Sequence, residues 1–163
     1  MFQTSAGAAS RAVAPILLMG TRKIPTKSQY EDLAAFRFEL RQFLRFSEEA
    51  AAAAGVTAQQ YQALLVIKGF PGRDYVTVGE LAERLLIRHH SAVGLVDRLM
   101  HEDLVTRNAA DDDRRQVHIR LTPRGDLVLA DLASIHREKL RFVGPELRAL
   151  LQRVNQGESK PLD

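Results

Sequence analysis

The apolar residues of this 163-residue chain keep helical spacing almost throughout and abandon it once, between Leu104 and Leu121. There Leu104-Val105-Thr106-Arg107 leads into the polar run Ala109-Ala110-Asp111-Asp112-Asp113-Arg114-Arg115. Gln116-Val117-His118-Ile119-Arg120-Leu121 then alternates polar and apolar. A period of two belongs to a half-buried strand, so this stretch predicts a two-stranded hairpin with a charged loop. Val117, Ile119 and Leu121 are expected on the core face, with Gln116, His118 and Arg120 pointing outward.

Helices are predicted on both sides of the hairpin. Pro25 closes the opening segment, and Ser28-Gln29-Tyr30-Glu31 reads as a capping box, a hydroxyl N-cap with Glu three positions on. Leu33, Phe36, Leu40, Phe43 and Leu44 follow at helical spacing, and Gly55 stops the helix after Ala54. At 1.5 Å per residue such a helix is up to about 40 Å long. Phe38 and Phe46 lie off its main stripe, which predicts more than one partner for it. Thr57-Ala58-Gln59-Gln60 opens a helix through Lys68, which Gly69-Phe70-Pro71-Gly72 ends, and Thr77-Val78-Gly79-Glu80 opens another carrying Leu81, Ala82 and Leu85. A further helix spans about His90–His101. Thr122-Pro123 restarts helix, with a hydroxyl cap and proline in the first helical position. That helix is expected to run to Phe142, where Gly144-Pro145 breaks it, and a last short helix carries Leu147, Leu150, Leu151 and Val154. No internal repeat is visible.

The length suits one domain with its own core. There is no cysteine, which excludes disulfides, thiolate metal sites and thiol chemistry. The net charge of +3 is unevenly placed: residues 1–30 hold Arg11, Arg22, Lys23 and Lys27 and no acid, while the remainder is nearly balanced. Residues 1–27 therefore read as a basic arm. Their apolar stretch, Ala12–Met19, is short and broken by Pro15, unlike a secretory signal, although an acid-free start loosely resembles a transit peptide. No stretch reaches the ~18 apolar residues of a membrane span, so a cytoplasmic, membrane-free protein is expected. Five histidines (89, 90, 101, 118 and 136) follow no zinc-ligand spacing, and no GxSxG, HExxH, P-loop or GxGxxG is present. No metal, cofactor or enzymatic activity is expected.

The predicted fold class is mainly α: a winged helix-turn-helix with a two-stranded β wing and added N- and C-terminal helices. Ala82 is small where two helices of such a motif cross closely. The next helix begins at Arg88-His89-His90-Ser91, so cationic and polar groups surround free backbone N–H donors, an arrangement suited to phosphates and base edges.

Residues 95–125, LVDRLMHEDLVTRNAADDDRRQVHIRLTPRG, resemble the core signature of the MarR family of transcriptional regulators. The match includes the DRL and LV-x-R entry to the wing, the DxR of Asp113-Arg114-Arg115, and the closing Leu121-Thr122 with Gly125. The helix order extends the resemblance over about 28–155, leaving the arm and a tail at 156–163 outside. The resemblance implies dimerisation helices at about 28–54 and 123–155 around a DNA-binding lobe at about 57–121. It implies a homodimer held through Leu33, Phe36, Leu147, Leu150, Leu151 and Val154. It places residues 89–101 in the major groove and Arg115 in the minor groove, with Asp113 expected to orient Arg115. The implied DNA contacts are Arg88, His89, His90, Ser91, Gly94, Arg98, Asp113, Arg114 and Arg115, on a pseudo-palindromic double-stranded operator.

Two positions depart from the family pattern: Gly94, where relatives often carry a long polar residue, and the His89-His90 pair. Plainer readings stand beside these: a solvated turn for the wing tip, surface positions for the histidines, and pairing of Arg98 with Asp97 or Glu102. Relatives often release DNA on binding an aromatic acid or phenolic effector, for which Arg41, Tyr61 and His118 are candidate liners. The function expected is thus a sequence-specific regulator, a repressor in the usual family mode. The alternative is a winged-helix protein-interaction or architectural module without a specific operator, which would bind weakly and with little sequence preference.

Overall fold

Local hydrogen bonds start and stop most of the helices in the computed structural model, which describes residues 24–109 and 117–156. Helix α1 (Lys27–Ala53) is capped by Thr26, whose hydroxyl accepts from Gln29 N–H while Gln29 Oε1 accepts from Thr26 N–H at 2.8 Å. The cap is thus two residues earlier than Ser28: two capping boxes overlap here, and the earlier one adds helical hydrogen bonds. α1 ends in a Schellman turn, with Gly55 at φ 77°, its N–H donating to Ala52 O and that of Val56 to Ala51 O, both at 3.0 Å. α2 (Ala58–Lys68) and α3 (Val78–Leu85) open with the expected boxes at Thr57/Gln60 and Thr77/Glu80.

The same C-terminal turn closes α3 less comfortably. Leu86 adopts φ 54° and is 92% exposed, while Ile87 N–H donates to Ala82 O at 3.0 Å. A branched residue in the left-handed region costs about 1–2 kcal/mol, and the exposed side chain returns no packing for it. Leu86→Gly is therefore expected to raise unfolding stability by about 1 kcal/mol, or roughly 2–4 °C in thermal midpoint. A midpoint that stays or falls would show that Leu86 holds packing not visible in the isolated chain.

α4 (His89–His101) leads through the left-handed Asp103 into β2 (Val105–Ala109), and β3 (Val117–Leu121) pairs antiparallel with β2 from Val105↔Leu121 to Ala109↔Val117. This is the expected two-stranded wing, and among the described residues the sheet gains a third strand. β1 (Tyr75–Val76) adds to the other side of β3, giving the order β1-β3-β2. Within β3, Ile119 is fully buried and Leu121 half-buried, but Val117 is 41% exposed. Val117 points to the expected side, yet it lies at the far end of the hairpin, beyond the reach of the helical core.

The largest difference is at the C-terminus. α5 (Pro123–Gln156) is one continuous helix of 34 residues with Pro145 inside it. Proline deprives the carbonyl four residues back of its donor, but Arg141 is exposed, so water can serve it. Packing of α5 along α1 keeps the two halves in line, and Arg153 Nε pairs with Asp32 at 3.0 Å near their ends. The core sits under α4 and the sheet: Leu64, Ile67, Leu81, Leu95, Leu99, Leu104, Ile119 and Leu132 are fully buried.

Candidate nucleic-acid interface

α4 has two faces with opposite chemistry. Ala92, Leu95, Val96 and Leu99 are buried at helical spacing. His90, Gly94, Asp97 and His101 recur at i, i+4, i+7 and i+11 on the opposite side, which a 3.6-residue period aligns in one outward row, with Gly94 half-buried and the other three exposed. Leu81 and Ala82 of α3 are buried, and α3 packs on α4, so the small Ala82 occupies the expected crossing. Arg88 is the N-cap of α4 and makes no side-chain cap bond, and Ser91 N–H turns back to Arg88 O at 3.0 Å, so the N–H groups of His89 and His90 stay open beside Arg88, His89, His90 and Ser91, all exposed. The N-terminal half of α4 therefore presents cations, hydroxyl and partial positive charge together.

Asp97 of α4 and its C-cap residue Glu102 are already engaged. Asp97 Oδ1 lies 2.8 Å from Arg107 Nη1, tying the outward face of α4 to β2. Glu102 Oε1 accepts from Gln60 Nε2 at 2.9 Å. Neither pairs with Arg98, which is exposed and makes no ion pair among the described residues. Asp113, Arg114 and Arg115 lie outside the described residues, in the segment that joins Ala109 to Val117.

Thr122 and Gly125 fix where the hairpin ends. Thr122 Oγ1 donates to Asp103 O at 2.6 Å and accepts from Gly125 N–H at 3.0 Å, and Thr122 N–H donates to Leu104 O at 3.1 Å. The first turn of α5 is thereby sewn to the turn that follows α4. A Cβ on Gly125 would stand 2.1 Å from Leu104 O, so only glycine permits this approach.

The six residues expected at a dimer contact are divided by the packing of α1 on α5. Leu33 and Leu151 are exposed, Phe36, Leu147 and Val154 half-buried, and Leu150 is 2% exposed and so already covered within the chain. Phe38, Leu40, Leu44, Ile135, Leu140 and Phe142 add to the exposed apolar surface of the same two helices.

Residues 54–116, from the end of α1 to the residue before β3, match the sequence profile of the MarR family. Over that stretch the chain is similar to the MarR family. Two Bacillus subtilis relatives are the HTH-type transcriptional regulator YsmB, 32% identical over 66 residues, and the HTH-type transcriptional repressor MdtR, 31% identical over 96. These matches cover 40% and 56% of this chain, and it spans only 45% and 60% of the relatives' lengths. The fold is shared with a mutant of Staphylococcus aureus MepR bound to an oligodeoxyribonucleotide: TM-score 0.61, 19% identity, covering 80% of this chain and 98% of that one.

Around this winged lobe the structure shows two side-chain clusters that the sequence does not announce. Arg73 lies between two rings, 4.5 Å from the Phe70 centroid and 4.6 Å from that of Tyr75, and pairs with Glu80. Arg120 covers Tyr75 at 4.4 Å and pairs with Asp74, while His118 stacks on Tyr75 at 3.9 Å. Burial raises the Glu80 carboxyl, but hydrogen bonds from Thr77 and Arg73 bring it below the usual range. The second cluster centres on His136, which is buried: Nδ1–H donates to Leu132 O at 2.7 Å, and Nε2 meets the Ser47 hydroxyl at 2.8 Å. Tyr61 stacks on this imidazole at 4.5 Å, and burial pushes its phenol up. Of the three candidate effector liners, Tyr61 is thus packed among α1, α2 and α5, His118 lies against β1, and Arg41 is exposed on α1. The partners of Tyr61 and His118 are undetectable from spacing, because stacking partners such as Tyr61 and His136 lie far apart in sequence.

Proposed function

We propose that this chain is a homodimeric, sequence-specific double-stranded DNA-binding regulator, acting in the cytoplasm as a repressor released by a small aromatic or phenolic effector. The observation that carries the reading is α4 itself: an amphipathic helix anchored on α3 by one face, with an open cationic N-terminus and a polar row on the other, beside a wing hairpin. A helix about 10–12 Å across suits the major groove of B-DNA, which is about 12 Å wide. MdtR is described as a repressor and a MepR mutant is bound to an oligodeoxyribonucleotide, which supports the same activity here. The apolar residues left open along α1 and α5 support a second copy as the partner, since such surface costs roughly 25 cal/mol per Å² in water. For the effector, the support is that Tyr61 and His136 lie where the winged lobe meets the two long helices, so a ligand there would bear on the spacing of two recognition helices.

The test joins mass and selection. Light scattering at micromolar concentration is expected to give a dimer rather than the 18.2 kDa chain, and selection from a random duplex pool should enrich a pseudo-palindrome. The enriched duplex should bind some 10³-fold or more tightly than its scrambled version. A monomer, or binding that is salt-sensitive but indifferent to sequence, would overturn the reading and favour an architectural module.

A further inference from the structure

Among the described residues, the packing around α4 leaves the exposed Arg98 without an acid. Asp97 is taken by Arg107 at 2.8 Å and Glu102 by Gln60 at 2.9 Å, so both acids close to Arg98 in sequence are engaged elsewhere. The Arg98 side chain runs back along the helix toward its N-terminus, the direction in which helical side chains lean. Its Nη1 comes to 3.5 Å from the point that a Cβ on Gly94 would occupy.

Gly94 and Arg98 are four residues apart, about 40° round the helix axis. Gly94 stands in the outward row of His90, Asp97 and His101, and Arg98 roots on its flank. The guanidinium rests over position 94 in the middle of that row, where a lone Cβ would meet it at ordinary contact distance and a longer side chain would displace it. Glycine in a helix interior is otherwise unfavourable. Packing does not demand it here, since among neighbouring atoms outside the helix's local backbone an added Cβ would meet only Arg98 Nη1 within 4 Å. The space at 94 is space for the arginine.

We infer that Arg98, seated over Gly94, reads a guanine in the major groove, with Gly94 as the residue that positions it. This rests on the DNA-binding reading above and adds which side chain reads a base and which base it takes. A guanidinium in mid-row faces base edges rather than the flanking phosphates, and its planar fork matches guanine O6 and N7. The engaged Asp97 beside it is neutralised by Arg107, so the fork is not drawn off into a pair on its own helix.

The experiment is selection from a random-sequence duplex pool with the full chain, for wild type, Arg98→Ala, Gly94→Leu and the double variant, each checked by thermal unfolding. Wild type should fix a G·C pair at one position of each half-site. Arg98→Ala should lower discrimination at that position by on the order of tenfold and keep preference elsewhere. Gly94→Leu, which fills the seat, should lose the same position, and the double variant should lose no more there than Arg98→Ala does alone. If Arg98→Ala weakens all sequences equally and reduces the salt slope by about one, the residue holds a phosphate and the inference is overturned. A folded Gly94→Leu that keeps the guanine preference overturns it equally. Should Gly94→Leu not fold, the Arg98→Ala result alone decides. A wild-type pool with no enriched sequence removes the DNA-binding reading as well, whereas an enriched pool indifferent to Arg98 removes only this inference.

Discussion

Gly125→Ala is expected to destabilise the protein by about 3 kcal/mol or more, at the upper end of overpacking costs. The new methyl would stand 2.1 Å from the carbonyl oxygen and 3.0 Å from the carbonyl carbon of Leu104, which are backbone atoms of a buried residue and cannot rotate aside. Relief requires the first turn of α5 to lift away. That would pull Thr122 from Asp103 and Leu104, and it would tilt a helix whose Leu129 and Leu132 are in the core. The expectation runs against helix propensity, by which alanine is about 1 kcal/mol better than glycine. At about 2–4 °C per kcal/mol the thermal midpoint should fall by roughly 10 °C. A variant that melts at or above the wild-type midpoint would show that α5 does not approach Leu104 as described.

The second large effect concerns DNA and leaves stability alone. Arg115→Ala should weaken binding to the selected duplex by more than about tenfold, roughly 1.4 kcal/mol. It should also flatten any preference for narrow A·T-rich flanks, if the side chain enters the minor groove as the family resemblance implies. The hairpin is anchored elsewhere, by the buried Val105 and Ile119 and by the ladder from Val105↔Leu121 outward. Unfolding free energy is therefore expected to stay within about 0.5 kcal/mol of wild type. Titrations on the selected duplex and its scrambled version at two salt concentrations check this. Equal affinity of variant and wild type would mean that the wing tip does not touch DNA.

Features governed by neighbours in the chain are legible in the order of residues alone. The boxes at Thr57/Gln60 and Thr77/Glu80 and the hydroxyl cap before Pro123 stand at their expected places, because a cap is decided within three or four residues. At the start of α1 the same rule offers two overlapping boxes, and Thr26 prevails over Ser28. The cationic and polar start of α4, Arg88-His89-His90-Ser91, is equally readable. The engagements of Asp97 and Glu102 are not, since Gln60 is 42 residues from Glu102 and no local pattern links them.

The sequence by itself determined the helices as far as Phe142 and the β2–β3 hairpin, the winged helix-turn-helix class and the composition of the exposed end of α4, because periodicity and capping are short-range. Only the tertiary structure decided the rest. A two-residue β1 has no period to detect and exists because β3 offers it a partner. Val117 alternates correctly but lies past the edge of the core. Gly144-Pro145 carries a local cost of about 3 kcal/mol, yet α5 runs through it because packing along α1 outweighs what one proline removes. Gly125 looks like an ordinary helix glycine in the chain, and its necessity comes from the carbonyl of Leu104, which only the fold brings within reach.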